Sequence, residues 1–170
     1  MKKFVIMALR HTGKTTLASM VLEKTTKKVC GFSTQKHGEL IKDGLCPVFI
    51  APIGKESVLD DEHCVGLCNC GQHYTNYEVF NTLGVEYLTC EDKDTIIVMD
   101  EVGFLEMNAE RFKAKIFEVL QSENPVLLML KERMDIDYLK EIRDYPGVEF
   151  IHMTEENREE VFERVLAELC

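Results

Sequence analysis

Short apolar runs alternate with amphipathic stretches along most of this chain. The runs at residues 4–7, 95–99 and 126–130 show no polar alternation, which is typical of strands buried on both faces. Further strands are predicted at 29–34 and 148–151, and helices at 15–24, 76–88, 108–121, 135–143 and along a final apolar stripe from Val161 to Leu169. Strands that alternate with helices predict a three-layer α/β fold, a mostly parallel sheet with helices on both faces.

The segment between residues 36 and 74 interrupts this alternation. A hairpin is predicted from residues 37–42, through a turn at Asp43-Gly44, to residues 48–50. Residues 52–74 are rich in Gly, Asp, Cys and His, and we expect them to be irregular. The length of 170 residues fits one domain, 1–170, with the hairpin and the irregular insertion at about 36–74.

The composition is that of a globular protein, with 45% hydrophobic and 29% charged residues. The net charge of −10 would repel phosphate polymers, so nucleic-acid or anionic-membrane binding is not expected. No apolar run reaches the length of about 18 residues that a membrane span needs. The odd number of cysteines, 7, in a chain of this size predicts reduced thiols and a cytoplasmic location. The sequence does not reveal a protein partner or the oligomeric state.

A phosphate-binding loop is predicted where the first strand meets the first helix. The pattern Gly-x-x-x-x-Gly-Lys-Thr fits here with Ala8 in place of its first glycine. In such a loop backbone N–H groups point at an anion, Gly13 allows close approach, and Lys14 reaches the outer phosphates. The Thr15 hydroxyl is a predicted Mg²⁺ ligand. The residues predicted to bind nucleotide are Ala8, Leu9, Arg10, His11, Thr12, Gly13, Lys14, Thr15 and Thr16.

An acid pair, Asp100-Glu101, directly follows the apolar run at residues 95–99. Ligand chemistry in open α/β sheets takes place at the carboxyl ends of the strands, so we expect this pair to face the phosphate loop. Asp100 is the second predicted Mg²⁺ ligand, and Glu101 is the predicted base for a water that attacks the γ-phosphate. Lys14 and Glu101 are therefore the predicted catalytic residues. A strand that merely ends in solvated acids is the alternative.

Several segments together give a resemblance to a known family. They are, in chain order, Gly13 to Leu17, Gly31 to Thr34, Asp100 to Glu106, Glu141-Ile142 and Thr154 to Arg158. The chain resembles the small nucleoside-triphosphatases of the THEP type, relatives of the AAA+ ATPases, over nearly its whole length. The resemblance implies a RecA-like P-loop NTPase fold and slow hydrolysis of ATP, GTP and other nucleoside triphosphates with Mg²⁺. It also implies that Asn157 and Arg158 lie near the nucleotide base.

The chain departs from the pattern of this family at the predicted active face. Ala8 and His11 replace two glycines of the phosphate loop. Residues 35–38, Gln-Lys-His-Gly, stand where the family has Glu-Glu-x-Arg, and Asn69 stands where it often has arginine. Charge that develops in the transition state needs a cation besides Lys14. The candidates for that cation are Lys36, Lys131 and Arg133.

A cluster of cysteines and histidines occupies part of the irregular segment. It consists of His63, Cys64, Cys68, Cys70 and His73. Four of these residues would suffice for a tetrahedral zinc site, but the spacing lacks the paired two-residue gaps of common zinc sites. A loop of reduced thiols is the favoured interpretation. Cys30, Cys46 and Cys90 lie in or near apolar runs and are expected to be small core residues.

These features predict an enzyme that hydrolyses nucleoside triphosphates, ATP or GTP, to diphosphate and phosphate with Mg²⁺. The first alternative is a kinase that passes the γ-phosphate to a small molecule or nucleotide. Residues 52–74 contain no arginine, which argues against a mobile arginine-bearing lid of the kind such kinases use. The second alternative, of another class, is a module that binds nucleotide without turnover.

Overall fold

The computed structural model describes residues 1–41, 43–69, 73–133 and 135–170. Over these residues the chain forms an eight-stranded sheet with the strand order β5-β4-β3-β2-β6-β7-β1-β8. Five neighbouring strands are parallel to one another: β2, β6, β7, β1 and β8. Strands β3, β4 and β5 extend the sheet beyond β2 as antiparallel neighbours. The strands are β1 (Lys3–Ala8), β2 (Val29–Lys36), β3 (Cys46–Pro52), β4 (Cys64–Cys68), β5 (His73–Thr75), β6 (Ile96–Val102), β7 (Val126–Lys131) and β8 (Glu149–His152).

Helices cover both faces of the sheet. The α-helices are α1 (Lys14–Lys24), α2 (Tyr77–Val79), α3 (Val85–Tyr87), α4 (Glu110–Gln121), α5 (Asp137–Arg143) and α6 (Arg158–Leu169). A π-helical segment, Phe80–Gly84, joins α2 to α3, and Gly38–Leu40 is a 3₁₀ helix. Helices α1 and α6 pack on one face, and α4 and α5 pack on the other. None of the helices described is long and apolar enough to cross a membrane.

The central strands are apolar throughout because both of their faces are buried. In β1, Phe4 and Ile6 belong to the core under α1 and α6, whereas Val5 and Met7 belong to the core under α4 and α5. Strand β7 divides its side chains between the two cores in the same way. Side chains alternate between the faces of a strand, so a run without polar positions fills two hydrophobic layers at once. The predicted three-layer α/β fold is confirmed.

The hairpin predicted in the middle of the chain is wrong in its first arm. Residues 37–41 do not form the strand that pairs with residues 48–50, because Gly38–Leu40 is a 3₁₀ helix. Lys42, the last residue of the predicted arm, lies outside the described residues. The antiparallel partner of β3 is β2, which continues to Lys36 and pairs Thr34 with Ile50. The glycine after Asp43 adopts a positive φ of 76°, as a turn residue, but this turn lies in the longer connection between β2 and β3.

The described residues of the segment 52–74 are less irregular than predicted. Strand β4 pairs with β3 on one side and with β5 on the other, so this segment extends the sheet by two strands. Gly66, in the middle of β4, lies so close to β5 that a Cβ atom there would come within 2.3 Å of the Tyr74 carbonyl oxygen. A glycine inside a strand normally argues against a strand, but here it permits close packing of two backbones.

Two cysteines differ from the prediction of reduced thiols. Cys30 in β2 and Cys90, which follows α3, form a disulfide. Both side chains pack against the core under α4, as expected for small core residues. The cysteine pairing could not be deduced because their sequence separation is 60 residues, and spacing alone does not show which thiols meet. Free cysteines of the described residues are Cys46, Cys64, Cys68 and Cys170.

Candidate nucleotide-binding and catalytic site

The predicted phosphate loop connects β1 to α1, as its position in the sequence indicates. His11 and Gly13 adopt left-handed backbone conformations, with φ of 65° and 115°. A Cβ atom on Gly13 would lie 3.1 Å from Arg158 Cδ and 3.2 Å from Phe162 Cζ, so α6 closes tightly over this glycine. Ala8, by contrast, ends β1 and is not among the residues with positive φ. Of the two residues that replace glycines, only His11 is therefore in a left-handed conformation, which costs a residue with a side chain about 1–2 kcal/mol.

Lys14 is the first residue of α1 and is 8% exposed. Its Nζ donates hydrogen bonds to the Ala8 carbonyl oxygen, at 2.6 Å, and to the Leu9 carbonyl oxygen, at 3.2 Å. The same Nζ lies 3.1 Å from Glu101 Oε2. The loop thus folds around the ammonium group and presents it at the carboxyl end of β1. Leu9, Arg10, His11, Thr15 and Thr16 are exposed, whereas Thr12 is buried.

Strand β6 carries the acid pair to the loop. Asp100 lies between Ser33 of β2 and Met129 of β7 in the sheet register and is 6% exposed. The Thr15 hydroxyl lies beside its carboxylate. Burial raises the pKa of Asp100 to about 6, and the nearby Thr15 hydroxyl opposes that rise. The structure therefore brings together the four residues Lys14, Thr15, Asp100 and Glu101 that the sequence predicted as neighbours.

A cavity of about 490 Å³ opens beside this cluster. Its lining includes Leu9 and Lys14 of the loop, Glu101 and Phe104 after β6, and Asn69 after β4. The two predicted cations Lys36 and Lys131 also line it. The combination of apolar walls with converging charged groups is typical of sites that bind small molecules.

Glu106 is a buried acid in this cavity wall that the sequence analysis did not single out. It is 3% exposed, and its Oε1 accepts a hydrogen bond from the Gly103 backbone N–H. Burial raises the pKa of Glu106 to about 7, and the hydrogen bonds that it accepts oppose the rise. The contact closes the turn that follows the acid pair. Its only sequence signal was its place in the family-specific segment from Asp100 to Glu106.

We expect Glu106→Gln to stabilise the protein more at pH 8 than at pH 5. A carboxyl group with a folded-state pKa near 7 and an ordinary value of 4.5 costs no stability below pH 4.5, and its full cost is present above pH 7. The neutral amide still accepts the Gly103 hydrogen bond but does not ionise. The gain over the wild-type protein should be larger at pH 8 by about 2–3 kcal/mol, measured by urea unfolding. An equal gain at both pH values would show that Glu106 does not titrate in this range.

The predicted base-binding pair, Asn157-Arg158, lies at the start of α6. Asn157 Oδ1 accepts a hydrogen bond from the Thr154 backbone N–H at 2.7 Å, and its Nδ2 donates to the His152 carbonyl oxygen at 3.0 Å. Its side chain thus holds the turn between β8 and α6. The Arg158 stem covers Gly13 of the phosphate loop. Within the described part of the chain, neither residue lines the cavity, and the pair meets the loop at Gly13.

The zinc hypothesis receives no support from the described part of the cysteine and histidine cluster. Cys70 lies outside the described residues. Cys68 is paired across the strands with His73 and with Cys46. Among the residues described, however, no group of three or more His, Cys, Asp or Glu side chains could hold a metal ion. The ring of His73 packs instead against Phe104, with 5.1 Å between the ring centroids.

A family model described as NTPase matches residues 3–166. The chain belongs to the NTPase family. It is 26% identical over 173 residues to nucleoside-triphosphatase THEP1 of Aquifex aeolicus, with 97% of each chain covered. It is 29% identical over 168 residues to the protein of the same name from Methanocaldococcus jannaschii, with 96% of this chain and 95% of that one covered.

Two solved structures share the fold of this member of the NTPase family. The crystal structure of THEP1 from Aquifex aeolicus superimposes with a TM-score of 0.74 at 24% identity and covers 98% of both chains. The solution structure of a human cancer-related nucleoside triphosphatase gives a TM-score of 0.69 at 21% identity, with 99% of this chain and 97% of that one covered. The predictions of the family, of the P-loop NTPase fold and of a nucleoside-triphosphatase enzyme are therefore confirmed.

Proposed function

We propose that this protein hydrolyses nucleoside triphosphates, ATP or GTP, to the diphosphate and inorganic phosphate with Mg²⁺ as cofactor. The observation that carries the proposal is the distance of 3.1 Å between Lys14 Nζ and Glu101 Oε2. It places the cation for the outer phosphates next to a carboxylate that can accept a proton from water. Membership in the NTPase family supports the same reaction.

Thr15 and Asp100 fit the demands of an Mg²⁺ ion. Both offer hard oxygen atoms, which Mg²⁺ prefers, and the Thr15 hydroxyl lies close enough to Asp100 to lower the pKa of its carboxyl group. Burial opposes the charge of the Asp100 carboxylate and raises its pKa, so a cation beside it would offset the cost of burial. A bound Mg²⁺ would supply charge neutralisation to the phosphates.

The residues of this chain account for the hydrolytic step as follows. The phosphate loop holds the β- and γ-phosphates, and Lys14 turns from Glu101 to a γ-phosphate oxygen. Glu101 then accepts a proton from a water whose oxygen attacks the γ-phosphorus. The bond from that phosphorus to the β–γ bridging oxygen breaks, and its electron pair leaves with the diphosphate. Inorganic phosphate and diphosphate are the products.

We infer that the base and ribose lie on the α6 side of the loop. Arg158 reaches Gly13 there, and its guanidinium is partly exposed and 3.2 Å from Glu159. Asn157 would contribute by holding the turn that positions Arg158. The proposal places the protein in the cytoplasm, where nucleoside triphosphates are used, although the Cys30–Cys90 disulfide is unusual for that compartment.

The second candidate function is that of a kinase, and the size of the cavity is the observation that supports it. The cavity extends from Glu101 past Thr34 and Val48 to Asn69, which leaves space for a phosphate acceptor beyond the γ-phosphate position. In a kinase the oxygen of that acceptor would replace the attacking water. Phosphate release without any added acceptor separates hydrolysis from transfer, and a protein that only binds nucleotide would release none.

Metal removal tests the proposed function. Phosphate release from ATP, GTP, CTP and UTP is measured with Mg²⁺ and again with excess EDTA. We expect release from several of these nucleotides with Mg²⁺ and a fall to background in EDTA, because the charge of the phosphates is then no longer neutralised. Full turnover in EDTA would refute the magnesium role, and no release from any nucleotide would refute hydrolysis.

A further inference from the structure

Lys131 stands between the phosphate loop and the acid pair. It is the last residue of β7, and this strand lies between β1 and β6. In the register of β1 and β7, Lys131 is the partner of Ala8, where the loop begins. On the other side, β6 pairs with β7 through Asp100 and Met129. Adjacent strands are about 4.8 Å apart, so Lys131 lies one strand spacing from the start of the loop. The strand that carries the acids is the next neighbour of β7, where Val102 pairs with Leu130.

The side chain of Lys131 is directed along the cavity wall. Its stem packs on Gly103, where a Cβ atom would come within 3.2 Å of Lys131 Cδ, so the glycine leaves room for the lysine. Its Nζ lies 3.8 Å from Glu101 Oε1 and 4.7 Å from the centroid of the Phe104 ring. The side chain is 42% exposed, so a ligand in the cavity can reach the ammonium group.

Glu101 is held by two ammonium groups, one on each carboxylate oxygen. Lys14 Nζ is 3.1 Å from Oε2, and Lys131 Nζ is 3.8 Å from Oε1. A γ-phosphoryl group that takes Lys14 from Glu101 would enter the space beside this carboxylate. Lys131 is then the adjacent positive charge on the side opposite to Lys14.

The other two candidate cations are less suitably placed. Lys36 lines the cavity, but it is exposed and lies on β2, which is beyond β6 as seen from the loop. Arg133 donates two hydrogen bonds to Asp135, at 2.8 and 2.7 Å, and is outside the set of described residues that line the cavity. Within the described ranges, Lys131 is the candidate whose ammonium group lies beside the Glu101 carboxylate.

We propose that Lys131 is a second catalytic cation, whose ammonium group contacts the γ-phosphoryl oxygens in the transition state of hydrolysis. This inference rests on the proposed function and adds a residue to it. Lys131 transfers no proton; the proton of the attacking water goes to Glu101, and the electron pair leaves with the diphosphate. A fixed cation placed where negative charge moves stabilises the transition state more than the bound substrate.

The first test compares Lys131→Met and Lys131→Arg with the matched control Arg133→Met. Arg133 is also a cation beside Phe104, with its guanidinium carbon 5.5 Å from the ring centroid. For ATP hydrolysis with Mg²⁺ we expect K131M to lower kcat about 10²-fold with little change in KM. K131R should recover part of the loss, and R133M should stay within about twofold of the wild-type protein, as surface ion pairs contribute little.

The second test separates catalysis from mere positioning of Glu101. Dissociation constants are measured for ADP alone and for ADP with aluminium fluoride, an anion that resembles the transferring phosphoryl group. K131M should bind ADP as the wild-type protein does. Its affinity for ADP with aluminium fluoride should fall in proportion to its loss of kcat. A residue that only positions Glu101 would leave both affinities unchanged.

Three results would overturn the role of Lys131. They are a K131M kcat within about twofold of wild type, an equal loss of kcat in R133M, or an unchanged affinity of K131M for ADP with aluminium fluoride. Thermal unfolding shows whether K131M is folded; if it is not, Lys131→Gln is judged by the same measurements. Failure of the proposed function is a separate outcome. In that case the wild-type protein itself releases no phosphate and binds ADP equally with and without aluminium fluoride.

Discussion

Replacing Lys14 with alanine is expected to remove nearly all phosphate release. The ammonium group is fixed by the Ala8 and Leu9 carbonyl oxygens and by Glu101, at the position where the outer phosphates bind. Without it, the phosphates lose a charge-assisted contact in the bound state, and the transition state loses a cation. We expect kcat/KM for ATP to fall by about 10³-fold, with weaker nucleotide binding as part of the loss.

The matched control for this prediction is Lys24→Ala. Lys24 lies in the last turn of the same helix, so its replacement removes a lysine from α1 at the end remote from the loop. Phosphate release by this variant should remain close to that of the wild-type protein. Thermal unfolding of both variants shows whether α1 still packs. A folded Lys14→Ala protein with full turnover would contradict the assignment of residues 8–16 as the phosphate site.

Glu101→Gln is expected to abolish turnover while nucleotide binding persists. The amide has nearly the same shape as the carboxylate but cannot accept the proton of the attacking water. General base catalysis contributes typically about 10²–10⁴-fold, so kcat should fall by that order. The nucleotide dissociation constant should stay the same or decrease, because the negative charge next to the γ-phosphate has been removed. Single-turnover phosphate release and nucleotide titration measure the two quantities separately.

Glu141→Gln provides the control for the loss of one carboxylate. Glu141 is exposed on α5, and the same change of charge is made away from the loop. Its kcat should equal that of the wild-type protein. If Glu101→Gln hydrolysed ATP at the wild-type rate, the proton acceptor would have to be another group, and the 3.1 Å contact with Lys14 would be an ion pair without a catalytic role.

The centre of the fold and the cluster at its edge could be predicted because their signals are local in the sequence. The loop residues are consecutive, and the acid pair directly follows a strand that is apolar on both faces. Parallel strands bring their carboxyl ends to one edge, so the distance between Lys14 and Asp100 along the chain did not matter. The strand was predicted to end before the acid pair, but β6 continues through Glu101 to Val102.

The remaining features depend on partners that no local pattern names. Strand β4 forms by pairing with β3 and β5. Its Gly66 suits this position because the Tyr74 backbone lies too close for a side chain. The Cys30–Cys90 bond depends on where α3 ends relative to β2. Glu106 reads as an ordinary surface acid, and its burial follows from the hydrogen bond to Gly103 that folds the turn inward.

Hydrolysis in ¹⁸O-labelled water tests the central claim most directly. The wild-type protein, ATP and Mg²⁺ are incubated in labelled water, and the products are analysed by mass spectrometry. If water activated by Glu101 attacks the γ-phosphorus, one labelled oxygen enters the inorganic phosphate and none enters ADP. Label in ADP would place the attack at the β-phosphorus, and the absence of inorganic phosphate would show that this site does not hydrolyse nucleotide.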